Sequence, residues 1–227
     1  MKLIQSITCL GLLAFALAMP AGSAQVWTEG VNYFLIQPVR TPSVPPGKIE
    51  VTEVFSYACP ACNTFQPVME KLRHGLPPNA QFTFLPAAFN PQEDWPMFQR
   101  AFFAAQGLGI VERTHQAMFD AVWKTGELAV VTPGSNRLKD PLPSITDAAS
   151  FYARVAGVDP QKFLAMASSF GVDSKIRAAD AQILAMHVDS TPTLIVNGKY
   201  RVIRPSLQND DQLIELVKYL VARESGT

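Results

Sequence analysis

Cys59 and Cys62 stand one helical turn apart in the tetrapeptide Cys59-Pro60-Ala61-Cys62, and Cys9 is the only other cysteine among 227 residues. Two thiols at this spacing can exchange disulfides or supply part of a metal site. A cross-link over two intervening residues constrains the unfolded chain very little, so the pair is poorly placed for stability and well placed for chemistry. A structural zinc needs four ligands, and the chain offers these two thiols and three histidines. His74 follows Cys62 by twelve residues, but Pro78, Asn79 and Ala80 occupy the positions where a finger's second histidine would fall. His115 and His187 stand alone on helical patterns and read as partly buried or surface side chains. No metal is expected, and redox exchange is the chemistry that fits.

The surroundings of the pair support that reading. An apolar strand pattern from Lys48 to Tyr57 leads into the tetrapeptide, and a helical pattern with Phe65, Val68, Met69 and Leu72 follows to about His74. Pro60 suits the first helical turn, where its missing N–H would have no partner anyway. Cys59 then sits at the helix N-terminus, where free amides and the macrodipole favour a thiolate; its side chain is expected to be exposed and nucleophilic. Cys62 faces the same side one turn deeper, as a resolving thiol would. A substrate thiolate attacks Cys59 in the disulfide, a mixed disulfide forms, and a second substrate thiol releases it. Glu53 shares strand parity with Ile49, Val51 and Phe55, which places it under the site. Buried there, its pKa would rise and it could accept or relay the proton of Cys62; the alternative is an acid at a sheet edge that meets solvent. Thr191-Pro192-Thr193 opens a late strand, and the sequence leaves the isomer of its proline open.

The remaining elements must hold these residues in place. Lys2, the uncharged run Leu10 to Leu17 and the small residues Gly22-Ser23-Ala24 read as a signal peptide cleaved before Gln25. The apolar run is too short to span a membrane. The mature chain of about 200 residues suffices for one domain with an insertion. Formal charge is zero, or −1 once Lys2 is lost, because residues 1–24 contain no acid. That balance leaves no basic footprint for nucleic acid. Strands are expected at Tyr33 to Ile36, Lys48 to Tyr57 and Gln81 to Leu85, the last two joined by the Cys-bearing helix into a parallel βαβ unit. Met97 to Lys124 reads as two helices broken near Gly107 and Gly109. A capping box at Ser144 and Asp147 starts a helix through Val155. Asp159-Pro160 starts another, with Gly171 as its stop, and Ser174 to His187 forms the next. Sheet signals return at Thr193 to Val196, turn at Asn197-Gly198, and run back through Lys199 to Ile203. Leu213, Ile214, Leu216, Val217 and Leu220 mark a last helix. The fold class is α/β: a thioredoxin fold over 25–91 and 188–227, interrupted by an all-helical insertion over 92–187.

Glu53-Val54-Phe55-Ser56-Tyr57-Ala58-Cys59-Pro60-Ala61-Cys62, the helical insertion, and Thr191-Pro192-Thr193 with Asn197-Gly198-Lys199-Tyr200 together resemble the DsbA family of periplasmic dithiol oxidases, over nearly the whole mature chain. The resemblance implies a Cys59–Cys62 disulfide as redox centre and no other cofactor. It implies Cys59 as attacking thiol, Cys62 as resolving thiol and Glu53 as proton-relay acid. Pro192 would be a cis-proline facing the disulfide, with Thr191 beside it. Implied partners are exported proteins with free thiols and a membrane quinone reductase of the DsbB type for reoxidation. Two positions depart from the family's best-known members. Ala61 stands where they carry a histidine that stabilises the reduced thiolate, so a less depressed Cys59 pKa and a less oxidising couple are expected. Phe84 replaces a lysine that can neighbour the glutamate, so the relay needs water or another partner.

Two other functions compete. A disulfide isomerase or reductase shares the chemistry, and threonine before the cis-proline also occurs in such relatives. Gln25 to Pro46 is too short for the dimerisation domain that exported isomerases add, and a monomer is expected. A chaperone-like peptide-binding module would need no cysteines, and the intact pair argues against it. Phe89, Trp95 and Phe98 are expected to pack in the core rather than line a groove.

Overall fold

Alternation of β-branched and aromatic residues builds a sheet, one interior strand of which leads directly to the cysteines. The computed structural model describes residues 25–132, 134–135 and 137–226; the expected signal peptide lies outside them. Five strands, β1 (Tyr33–Leu35), β2 (Ile49–Phe55), β3 (Ala80–Pro86), β4 (Thr193–Val196) and β5 (Tyr200–Val202), lie in the order β1-β5-β4-β2-β3. β2 runs parallel to β3 and antiparallel to β4. It is therefore an interior strand, and all seven of its residues are buried. The edge-of-sheet alternative for Glu53 fails on this pairing.

α1 (Pro60–Gly75) crosses over from β2 to β3, and α7 (Asp210–Glu224) closes the chain. They bury Met69 and Leu72 with Leu213, Leu216, Val217 and Leu220 against Val51, Leu194 and Val196. Between β3 and β4 come α2 (Trp95–Gly107), α3 (Val111–Trp123), α4 (Ile145–Ala156), α5 (Pro160–Ala167) and α6 (Phe170–Ala185). Their apolar faces share a second core with the end of β2, in which Phe55, Tyr57, Phe98, Phe102, Phe119, Phe151 and Phe163 are buried.

Local signals account for most boundaries. Ser144 accepts from the Asp147 amide at 3.3 Å while Asp147 accepts from the Ser144 amide at 2.7 Å, a closed capping box. Asp159 caps α5 through the Gln161 amide at 2.8 Å, with Pro160 in its first turn. Asn197 and Gly198 hold φ of 54° and 61°, as the tight turn between β4 and β5 requires.

The expected stop at Gly171 is incorrect. α5 ends at Ala167, and Gly171 lies in the first turn of α6, which starts at Phe170 instead of near Ser174. The Ser169 hydroxyl accepts from the Val172 amide at 3.3 Å, and this cap outweighs glycine's low helix propensity at a helix start. Of the three aromatics expected in the core, Trp95 and Phe98 are buried, but Phe89 is 40% exposed.

Candidate active site

β2 ends at Phe55, and the turn Ser56-Tyr57-Ala58 delivers the chain to Cys59. The Cys59 amide bonds the Ser56 carbonyl at 3.1 Å, and the Ala58 amide bonds the Ser56 hydroxyl at 3.3 Å. From α3, the Trp123 indole N–H donates to the Tyr57 carbonyl at 2.8 Å. The turn is thus fixed from inside by its own serine and from the insertion by a tryptophan.

Cys59 is the N-cap of α1, with Pro60 in the first turn. Its Sγ accepts from the Cys62 amide at 3.2 Å and lies 3.5 Å from the Thr191 carbonyl oxygen, to which the thiol donates. The Thr191–Pro192 bond is cis. The sequence places Cys59 and Thr191 far apart, and the antiparallel β2–β4 pairing brings them together at one end of the sheet. This cover corrects the expectation of an exposed nucleophile. Cys59 is only 4% exposed, whereas Pro60 and Ala61 beside it are open to solvent.

The two thiols are electrostatically opposite. Cys59 is lowered to about 6, chiefly by its hydrogen bond with the Cys62 thiol, then by the Thr191 side chain and the amides of Cys62 and Ala61, against the opposing effect of burial. Cys62 is wholly buried, and burial pushes its thiol far above the ordinary range, with the Cys59 and Glu53 charges adding to the effect. Glu53 is also wholly buried, and both carboxyl oxygens lack a hydrogen-bond partner. Burial first, and the Cys59 charge second, raise it to about 8, while the Arg73 guanidinium pulls the other way. β3 places Phe84 opposite Glu53, so no strand cation faces the acid.

Sequence reasoning missed His115. It is 3% exposed, and its Nδ1 lies 3.0 Å from the Tyr57 hydroxyl. Burial, and Arg73 to a lesser degree, push it down to about 3, so the ring is neutral. The available signal was its place on the α3 stripe with Val111, Thr114, Met118, Phe119 and Val122, all buried. His187 is exposed and lies beyond the end of α6.

Beside Pro192 opens a groove of about 350 Å³, lined by Phe34, Phe65, Leu194, Ile203 and Arg204 among others. Among the described residues, no cluster of three or more His, Cys, Asp or Glu side chains could hold a metal ion.

Two vicinal thiols at a helix start, one held as a thiolate and one kept protonated, set on a five-stranded mixed sheet, define a thiol–disulfide oxidoreductase of the thioredoxin fold. No protein-family model matches the chain. It is 33% identical over 205 residues to the thiol:disulfide interchange protein DsbA of Pseudomonas aeruginosa, covering 90% of this chain and 89% of that one. It is 30% identical to the DsbA of Azotobacter vinelandii, covering 98% and 97%. The oxidoreductase DsbA of Xylella fastidiosa superposes with a TM-score of 0.74 at 33% identity, over 87% of this chain and 97% of that one. The chain belongs to the DsbA family, whose fold is a thioredoxin fold with a helical insertion.

Proposed function

We propose that the chain is a disulfide donor that oxidises paired thiols in exported proteins of the periplasm. The observation that carries this reading is the asymmetry of the thiols. Reduction of the disulfide releases Cys59 as a favoured thiolate, and a stabilised reduced form drives electrons from substrate to enzyme.

A substrate thiolate attacks Cys59 Sγ, the Cys59–Cys62 bond breaks, and Cys62 leaves. Its sulfur cannot stay ionised where it is buried, so it takes a proton, and Glu53 beneath it is the acid in reach of that charge. A second substrate thiolate then attacks the substrate sulfur of the mixed disulfide and expels the Cys59 thiolate. Two substrate thiols become one disulfide, and the enzyme leaves as a dithiol. Reoxidation calls for an electron acceptor, assigned here to a membrane quinone reductase of the DsbB type. Ala61 and Pro60 form the open rim of the centre, and Thr191 and Pro192 cover its sulfur. The apolar groove beside Pro192 suits an extended peptide.

The same reading sets a cleaved signal over 1–24, a thioredoxin unit over 25–91 and 188–227, an insertion over 92–187, and a monomer. The test is stoichiometric oxidation of a reduced, unfolded two-cysteine protein by the purified disulfide form. One substrate disulfide per enzyme is expected, with none from Cys59→Ser. Full activity of Cys59→Ser in assisting refolding would replace this reading with a chaperone-like one.

A further inference from the structure

The groove beside the cis-proline carries charge of one sign. Among the described residues that line it, Arg201 and Arg204 are the charged ones, and no carboxylate joins them. Their placement follows from the sheet: β5 sets Arg201 opposite Phe34 of β1 on one side and Ile195 of β4 on the other. The Arg201 guanidinium lies over the Phe34 ring at 5.1 Å, and that of Arg204 lies over Phe65 at 5.2 Å. Among the described residues, the ion pairs leave Arg201 without a carboxylate. Arg204 donates from Nη2 to Asp210 at 2.6 Å, while its Nε is buried with no partner.

The geometry points to this groove as a subsite for an acidic side chain of the thiol-bearing peptide, with Arg201 as the specificity-determining residue and Arg204 beside it. The inference rests on the proposed role as disulfide donor and names the kind of segment that role prefers. A guanidinium stacked on an aromatic ring keeps its donor edge oriented, so a carboxylate can meet it with two parallel hydrogen bonds at little cost in entropy. Asp210 already offsets part of the Arg204 charge, so Arg201 is the stronger attractor. Two acids flank the lining in sequence, and both are engaged: Asp211 with Lys71 at 2.6 Å and Asp189 with the Ser190 hydroxyl at 3.1 Å. An apolar side chain could rest on Phe34, Phe65 and Ile203, but it would leave Arg201 unpaired.

Register sets the reach. The Thr191 carbonyl faces the Cys59 sulfur at 3.5 Å, and Pro192 follows it. Ile195, opposite Arg201, lies three residues past Pro192, which is about 10 Å at the rise of an extended chain. A substrate cysteine at Cys59, with its neighbours extended along the groove, therefore brings a side chain about three residues away to Arg201.

The test follows oxidation of dithiol peptides by the mature disulfide form, with free thiols trapped by alkylation. Three peptides differ only at the positions about three residues to either side of the first cysteine, which carry glutamate, lysine or leucine. Each second-order rate constant is divided by that of the same peptide with a small aromatic disulfide, which removes the effect of charge on the thiol itself. The glutamate peptide is expected to lead the lysine peptide by about fivefold at low salt, with the ratio falling toward one at high salt. Arg201→Gln should bring the low-salt ratio to within about twofold of one, and Arg201→Glu should invert it. A ratio is unaffected by a general loss of activity in a variant. A wild-type ratio near one, a leucine peptide that outpaces both, or a preference that survives in both Arg201 variants overturns the acidic subsite and leaves the disulfide-donor reading in place. Oxidation of none of the peptides would overturn that reading itself.

Discussion

A thiol lowered to about 6 must leave a break in how the redox potential depends on pH. Below that pH the disulfide takes up two electrons and two protons on reduction, and the potential falls by ~59 mV per pH unit; above it Cys59 stays a thiolate, one proton is taken up, and the fall is ~30 mV. The slope is expected to halve near pH 6. Poise follows from the same arithmetic. The family's own reference values are a nucleophilic thiol near ~3.5 and a potential of about −120 mV. A thiol at about 6 gives up ~70 mV of that at pH 7, which places this chain at about −190 mV, between the strongest oxidants and thioredoxin at about −270 mV. Ala61 is exposed, and its amide already faces the Cys59 sulfur. Ala61→His therefore adds a donor without displacing packed atoms, and each unit by which it lowers Cys59 should raise the potential at pH 7 by ~30 mV. The assay is equilibration with glutathione from pH 4.5 to 8, with free thiols trapped by alkylation. A single slope of ~59 mV per unit through pH 7, or a poise at the thioredoxin value, would refute the reasoning.

Further outcomes are expected elsewhere. Cys62→Ser should accumulate a mixed disulfide with substrate, visible by mass spectrometry, because nothing remains to resolve it toward the enzyme disulfide; a variant that forms no adduct would contradict Cys59 as the attacking thiol. Glu53 titrates at about 8 when folded against 4.5 in the unfolded chain. The unfolded chain loses this proton first, so the contribution of Glu53 to the stability of the reduced protein should fall by a few kcal/mol as pH rises from 4.5 to 8, against a gain above pH 6 from the lowered Cys59. Glu53→Gln should remove that fall, as chemical denaturation at pH 5 and pH 8 would show; an unaltered difference counts against the burial argument. Gly198→Ala places a Cβ against the Arg40 carbonyl at a positive φ and should cost about 2 kcal/mol or more, measured by the denaturation midpoint. Trp123→Phe removes the bond to the Tyr57 carbonyl and should cost about 1 kcal/mol by the same measurement.

Much of this site was legible because its parts are local in sequence. The strand, the proline-led helix start and the glutamate on the strand's inner parity all fall between Ile49 and Gly75, where periodicity and capping rules act over a few residues. The Asn197-Gly198 turn and the Ser144 capping box are local for the same reason. Gly171 was misread because glycine is a stop only where no stronger start overlaps it, and the Ser169 cap lies two residues earlier. Exposure of Cys59 was misjudged because its cover is long-range. The Thr191 carbonyl reaches it through the β2–β4 pairing, and no pattern within either segment announces that contact.

Phe84 and His115 show what a position-by-position reading loses. Without lysine at position 84, the acid at Glu53 has no cation across the strand pair, and the sequence shows only that another partner is needed. A phenylalanine there fills the space between β3 and α3 and gives the imidazole a face to stack on. Raising Glu53 to about 8 while Cys59 falls to about 6 requires that no strong cation sit beside the acid, and Arg73, held by Glu70 and Glu112 above Phe84, is the nearest pull toward ionisation. Ala61 and Phe84 then both act by omission. One adds no side-chain donor beside the Cys59 sulfur, and the other sets no cation opposite Glu53, whose carboxyl is raised to about 8. The insertion therefore bears on the shape of the site: α3 meets Tyr57, in the turn before Cys59, twice, His115 at its hydroxyl and Trp123 at its carbonyl.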